Sequence, residues 1–193
     1  MIFLKAPQRG AVKTRLARTV GRATAWRFYR DTSARLVREL GGDMRWTTWL
    51  AVTPDRFAYQ GRFWPGGVRR MPQGRGDLGA RMMRPMRSLQ PGPVVIVGSD
   101  IPDVRRQHIE QAFRALRRNH VVFGPARDGG YWLIGHSRRP LVRDMFKAVT
   151  WSTDRALAET RANLPARHRV ALLGLLEDVD DEAAWRRWRS QAR

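Results

Sequence analysis

Short apolar runs and helix-periodic stretches alternate along the whole chain. Ile2 to Lys5 reads as a strand, and a Gly/Pro-containing loop from Ala6 to Val12 follows it. Trp26, Tyr29, Leu36, Val37 and Leu40 then recur at helical spacing until Gly41-Gly42 stops the helix. Arg45 to Val52 and Val68 to Met71 predict two further strands, and Leu78 to Leu89 predicts a helix interrupted by Pro85. Val94 to Val97 is apolar at every position, as a strand covered on both faces should be. After Pro102 comes a helix with Ile109, Phe113 and Leu116 on one face, then a strand from Val121 to Phe123. Gly129-Gly130 break the chain before a strand from Tyr131 to Ile134. Ser152 or Thr153 is expected to cap a helix running to about Leu164, and Val170 to Leu173 to form the last strand. Asp180 or Asp181 is expected to cap a final helix through Trp185 and Trp188. Strands regularly separated by helices predict an α/β, three-layer αβα fold with a mainly parallel central sheet. The 193 residues suit one domain spanning 1–193.

The chemistry follows from how the strands end. The buried run Val94 to Val97 leads into Gly98-Ser99-Asp100, and loops at the carboxyl ends of parallel strands are where ligands sit in open α/β sheets. A carboxylate held there must be solvated, hydrogen-bonded or paired, and a divalent cation shared with a diphosphate is one such partner. The alternative is a helix N-cap. The loop after the first strand, "KAPQRGAVKTRLA", carries Gly10, where backbone can approach a ligand, with Lys13 and Arg15 as cationic donors. That set suits a diphosphate, although Walker spacing is absent and a merely basic surface loop is the competing reading. In "RDGGYWLIG", Gly129 and Gly130 permit close approach of a sugar or acceptor, and Asp128 can bond hydroxyls or act as a base. Trp151 offers a ring for stacking on a sugar or base, with packing as its alternative. Tyr131 and Trp132 should face opposite sides of the sheet and pack in the core.

Six ordered blocks, "FLKAPQRGAVKTRLA", "QGRGDLGARM", "VGSDIPD", "GPARDGGYWLIG", "WSTDRALAET" and "LLEDVDDEAAW", resemble a bacterial family of glycosyltransferase-like proteins. Members of that family are described as transferases associated with radical-SAM and selenium-domain systems, or as arsenosugar-biosynthesis-type glycosyltransferases. The resemblance spans nearly the whole chain. It implies the GT-A nucleotide-diphospho-sugar transferase fold, which sugar-activating nucleotidyltransferases also use. It further implies a phosphate loop at Lys13, Thr14 and Arg15, and a metal-binding aspartate at Asp100. Asp178 or Asp180 matches the late acidic position that completes a Mg²⁺ or Mn²⁺ site. Gln73, Gly76, Asp77 and Gly79 match a segment that lies beside the nucleotide base. For Asp178 and Asp180 the competing reading is an N-terminal cap on the following helix.

Composition narrows the classes. With no cysteine, disulfides, thiolate metal sites and thiol nucleophiles are excluded. The four histidines, His108, His120, His136 and His168, lack metal-ligand spacing, and Ser99 lacks a hydrolase elbow. The net charge of +20 attracts polyanions, but of the 37 basic residues only Lys5, Lys13 and Lys147 are lysines. The arginines are scattered along the chain, which reads as compositional bias and not as a specific nucleic-acid site. No run is long enough to cross a bilayer and no leader segment is recognisable, so a cytoplasmic chain is expected. Trp185 and Trp188 are expected to fasten the last helix, with a homodimer contact as the sharper alternative. The leading expectation is metal-dependent transfer from a nucleotide-diphospho-sugar to a small acceptor. The alternatives are nucleotidyl transfer from an NTP with release of pyrophosphate, and a non-catalytic polyanion-binding homologue.

Overall fold

The computed structural model describes residues 1–61, 63–139 and 144–191. Among the described residues seven strands form one sheet: β1 (Ile2–Lys5), β2 (Trp49–Thr53), β3 (Arg69–Pro72), β4 (Val94–Gly98), β5 (Val121–Pro125), β6 (Tyr131–His136) and β7 (Val170–Leu172). Their order is β3-β2-β1-β4-β6-β5-β7. Only β6 runs antiparallel, pairing with both β4 and β5. Six α-helices among the described residues connect or flank them: α1 (Thr14–Val20), α2 (Arg22–Gly41), α3 (Leu78–Ser88), α4 (Arg106–Leu116), α5 (Ala156–Ala162) and α6 (Glu182–Gln191). The expected αβα sandwich is present.

Alternation along the strands supplies both cores, because successive side chains point to opposite faces. Leu4, Val95, Val97 and Val122 pack with Leu36, Val37 and Leu40 of α2 and Ile109 and Leu116 of α4. Phe3, Val94, Ile96, Val121 and Phe123 meet Met82, Met83 and Met86 of α3, with Phe146 and Leu157. Trp132 joins the first layer and Tyr131 the second. Phe28 of α2 holds α6, its ring 5.3 Å from Trp185 and 4.9 Å from Trp188.

Several elements differ in detail from the sequence pattern. The second strand begins at Trp49, not Arg45, because Trp46 Nε1 and Thr48 Oγ1 both donate to Leu40 O and hold this stretch as a loop. α3 continues through Pro85 without a break. α5 begins at Ala156 with Arg155 at its N-cap and no side-chain cap; Ser152 has φ 62° and Thr153 accepts through its carbonyl. Asp181, not Asp180, caps α6, accepting from Ala184 N at 2.8 Å. Among the described residues no helix is long and apolar enough to cross a membrane.

Candidate active site at the carboxyl rim

Because β1, β2, β3, β4, β5 and β7 share one direction, the loops leaving them converge on one rim of the sheet. There Lys13, from the loop after β1, donates to Asp100 Oδ2 at 2.9 Å and also to Asp180 Oδ1. Arg15 Nη2 donates to Asp180 Oδ2 at 2.8 Å. The Lys13 side chain is 3% exposed, while each acid is 34% exposed. Burial alone would favour a neutral Lys13 amine; the charges of Asp100 and Asp180 outweigh it and raise the ammonium pKa. Asp180 is half-buried, which works against its charge, yet Lys13 and Arg15 carry its pKa below the usual carboxylate range.

Asp178 behaves in the opposite way. Burial, reinforced by the charges of Asp180 and Asp100, pushes its carboxyl up to about 6, with Lys13 opposing and Asp128 adding to the rise. Negative charge at this rim is therefore only partly balanced by the protein. Among the described residues no three metal-ligating side chains are gathered into a cage. The donor chemistry nonetheless fits a hard divalent ion, which takes one or two carboxylates and fills its remaining positions with water and phosphate oxygens.

A cavity of about 500 Å³ opens beside these acids, lined by Lys13, Thr14, Arg15, Gln73, Ser99 and Asp100 among others. Lys5, the last residue of β1, also lines it, is exposed and has no carboxylate partner among the described residues. Lys5 carries no motif that marks it as a site residue in the sequence. Its position at the end of a parallel strand was the available signal. Tyr29 was also missed as a site residue: its hydroxyl accepts from Lys5 N at 2.8 Å, donates to Lys5 O at 2.9 Å and lies 3.2 Å from Ser99 Oγ. One buried phenol thus joins the start of the first loop to the residue preceding Asp100.

The remaining candidates divide. Gly10 lies in the first loop with φ 75° and open space where a side chain would begin. Asp128 is exposed in the β5–β6 turn, accepts from Gly130 N at 2.9 Å and faces the acid cluster electrostatically. Gly129 is packed against the Asp154 backbone, 2.2 Å from where a Cβ would lie. Gln73 borders the cavity, but its amide is engaged with Leu4 O and Ala51 O. Asp77 caps α3 through Ala80 N at 2.8 Å, and an added Cβ at Gly76 would lie 2.8 Å from Ala80 Cβ. Gly79 is where α3 packs against Phe146 and Trp151, and a Cβ there would lie 2.5 Å from Phe146 Cβ. Trp151 packs on Phe146 at 5.9 Å, with its indole N–H buried and lacking a hydrogen-bond partner among the described residues.

Residues 36–153 match a protein family described as "Uncharacterized protein conserved in bacteria (DUF2064)". Among solved structures, the chain is similar to a protein from Desulfovibrio desulfuricans G20 proposed to be a nucleotide-diphospho-sugar transferase. The two are 28% identical, the match covers 93% of this chain and 80% of that one, and the TM-score is 0.78. It also shares its fold with 4-diphosphocytidyl-2C-methyl-D-erythritol synthase from Anaerococcus prevotii DSM 20548, at 14% identity, 99% and 96% coverage and TM-score 0.59. A Mycobacterium tuberculosis H37Rv protein solved with manganese matches at 18% identity, 96% and 95% coverage and TM-score 0.54. None of the curated proteins compared with the chain matches it.

Proposed function

The chain belongs to the bacterial family DUF2064, and we propose that it is a metal-dependent transferase that binds a nucleotide-diphospho-sugar and passes the sugar to a small acceptor. The observation that carries this reading is the meeting of Asp100 and Asp180 around Lys13, beside a cavity at the carboxyl rim. The similarity to the Desulfovibrio protein, proposed to be a nucleotide-diphospho-sugar transferase, supports the substrate class.

In this reading Lys13, Arg15 and Lys5 bind the donor's phosphates, with Gly10 and Thr14 shaping the loop around them. Asp100, with Asp178 or Asp180, would hold Mg²⁺ or Mn²⁺, and manganese in the mycobacterial protein fits that expectation for the fold. When bound, such an ion offsets the charge of the departing diphosphate. Lys13 then helps keep that charge balanced from the protein side. Asp128, exposed at the same rim, is the candidate base for the acceptor hydroxyl. Gly129, Gly130 and Trp151 are the candidate sugar and acceptor wall, and Gln73, Gly76, Asp77 and Gly79 the candidate segment beside the nucleotide base. The resemblance to arsenosugar-biosynthesis-type enzymes is consistent with a small-molecule acceptor.

Product analysis with labelled nucleotide-sugars and labelled NTPs, each with Mn²⁺, tests the reaction. Release of a nucleoside diphosphate from a nucleotide-sugar is the expected result. Pyrophosphate from an NTP, with no nucleoside diphosphate, would replace glycosyl by nucleotidyl transfer. Neither product, together with salt-sensitive DNA binding, would favour the non-catalytic polyanion-binding reading.

A further inference from the structure

A second cavity, of about 650 Å³, lies at the opposite end of the sheet and has no part in the proposed transfer. Three chain returns build it: Arg45 to Trp49 entering β2, Leu89 to Val94 entering β4, and the C-terminal turn of α4. Trp49 and Val94 are the first residues of their strands, whereas Lys5 and Asp100 lie at or beyond the last residues of theirs. The volume is in the range of small-molecule sites.

Its walls are fixed by hydrogen bonds made behind them. Arg138 donates to Leu89 O at 2.8 Å and Gly92 O at 3.3 Å, and also to Gln90 O, pinning one wall. Arg45 donates to Asp43 at 2.7 Å and Glu110 at 2.8 Å, and its guanidinium lies 5.0 Å from the Trp46 ring centroid. Phe113 stacks on Trp46 at 6.0 Å and 27°.

Two groups inside this frame stay uncommitted. Arg69 lies 5.5 Å from the half-buried Trp49 ring centroid, but the indole N–H makes no hydrogen bond among the described residues, and the Arg117 side chain has no carboxylate partner among them. Arg114 shares Glu110 with Arg45, which also pairs with Asp43, so Arg117 is the guanidinium at this cavity left without an acid among the described residues. An apolar ligand would leave that excess charge unanswered. A small inorganic anion would leave the aromatic wall wet.

We propose that this cavity binds a planar aromatic molecule carrying an anionic group. The ring contacts Trp49 and Phe113, and the anion meets Arg114 and Arg117. The site is separate from the acid rim, so its test does not depend on transferase activity.

Two fluorescent probes that differ by a sulfonate, 8-anilinonaphthalene-1-sulfonate and uncharged N-phenyl-1-naphthylamine, are titrated into the full chain. The sulfonate is expected to bind about tenfold tighter or more, the gain of a charge-assisted hydrogen bond. In Arg114→Ala/Arg117→Ala that preference shrinks to about twofold or less, while Arg18→Ala/Arg22→Ala, at the other rim, retains it. Trp49→Ala weakens both probes. Arg117→Gln alone, at an exposed and unpaired side chain, lowers only the sulfonate affinity and serves if the double variant misfolds. Equal binding of both probes to the wild type would overturn the proposal, as would loss of preference in the Arg18/Arg22 variant or unchanged binding in Trp49→Ala.

Discussion

Lys13 Nζ lies 2.9 Å from Asp100 Oδ2 across 87 residues of sequence, and the same ammonium bonds Asp180. One cation from the first loop therefore holds together two acids from distant segments, with its own side chain almost fully covered. The rim is charge-clamped before any ligand arrives, and that arrangement has measurable consequences.

Removing the cation should leave Asp100, Asp178 and Asp180 facing one another. Lys13→Met is expected to lower unfolding stability by about 1–3 kcal/mol, below the range for a fully buried pair because both bonded acids are partly exposed. Adding Asp180→Asn should restore roughly half of the loss by relieving the repulsion. Urea unfolding of both variants checks this; a double variant no more stable than Lys13→Met would show that the contact is not electrostatic.

The pH dependence has two opposing parts. Asp178 titrates near 6 in the folded chain against 3.8 for an ordinary aspartate, so the folded state holds the proton more tightly. Its contribution to stability is favourable at low pH and is lost as pH rises from about 4 through 6. His136 is lowered to about 4 from 6.5 by burial and by the neighbouring His168, His120 and Arg138 charges. Its contribution is present above 6.5 and is lost as pH falls towards 4. In metal-free buffer, Asp178→Asn removes the first part alone. The variant should lose stability on acidification from 6.5 to 4 more steeply than the wild type, as measured by denaturation at stepped pH. Parallel curves would contradict the environment assigned to Asp178.

Tyr29→Phe removes a hydroxyl that both accepts from Lys5 N and donates to Lys5 O. Leaving those partly buried backbone groups under-satisfied should cost about 1–3 kcal/mol in urea unfolding. A change within experimental error would mean that the phenol does not hold the first loop to the Ser99 segment.

Much of this was legible because buried strands are apolar on both faces and their ends mark the rim. Val94 to Val97 followed by Gly-Ser-Asp announced Asp100, and the basic loop after β1 announced Lys13. The partnership between Lys13 and Asp100 was not legible, since no local pattern encodes a contact between segments so far apart. The reversed direction of β6 was also hidden: Gly129-Gly130 marked a turn, but apolar residues in a buried strand read alike in either direction. Lys5 resembles any surface lysine until its strand is given neighbours. Asp77 and Gly79 show the converse, for their motif pointed to a nucleotide while their visible contacts are a helix cap and a helix packing site.

The most direct measurement is thermal unfolding of the wild type and Asp100→Asn with a panel of nucleotide-sugars, with and without Mn²⁺. At least one nucleotide-sugar is expected to raise the wild-type Tm only when Mn²⁺ is present, and Asp100→Asn to abolish the rise. If no member of the panel shifts the wild type, or if the shift survives unchanged in Asp100→Asn, the acid rim is not a metal-nucleotide site.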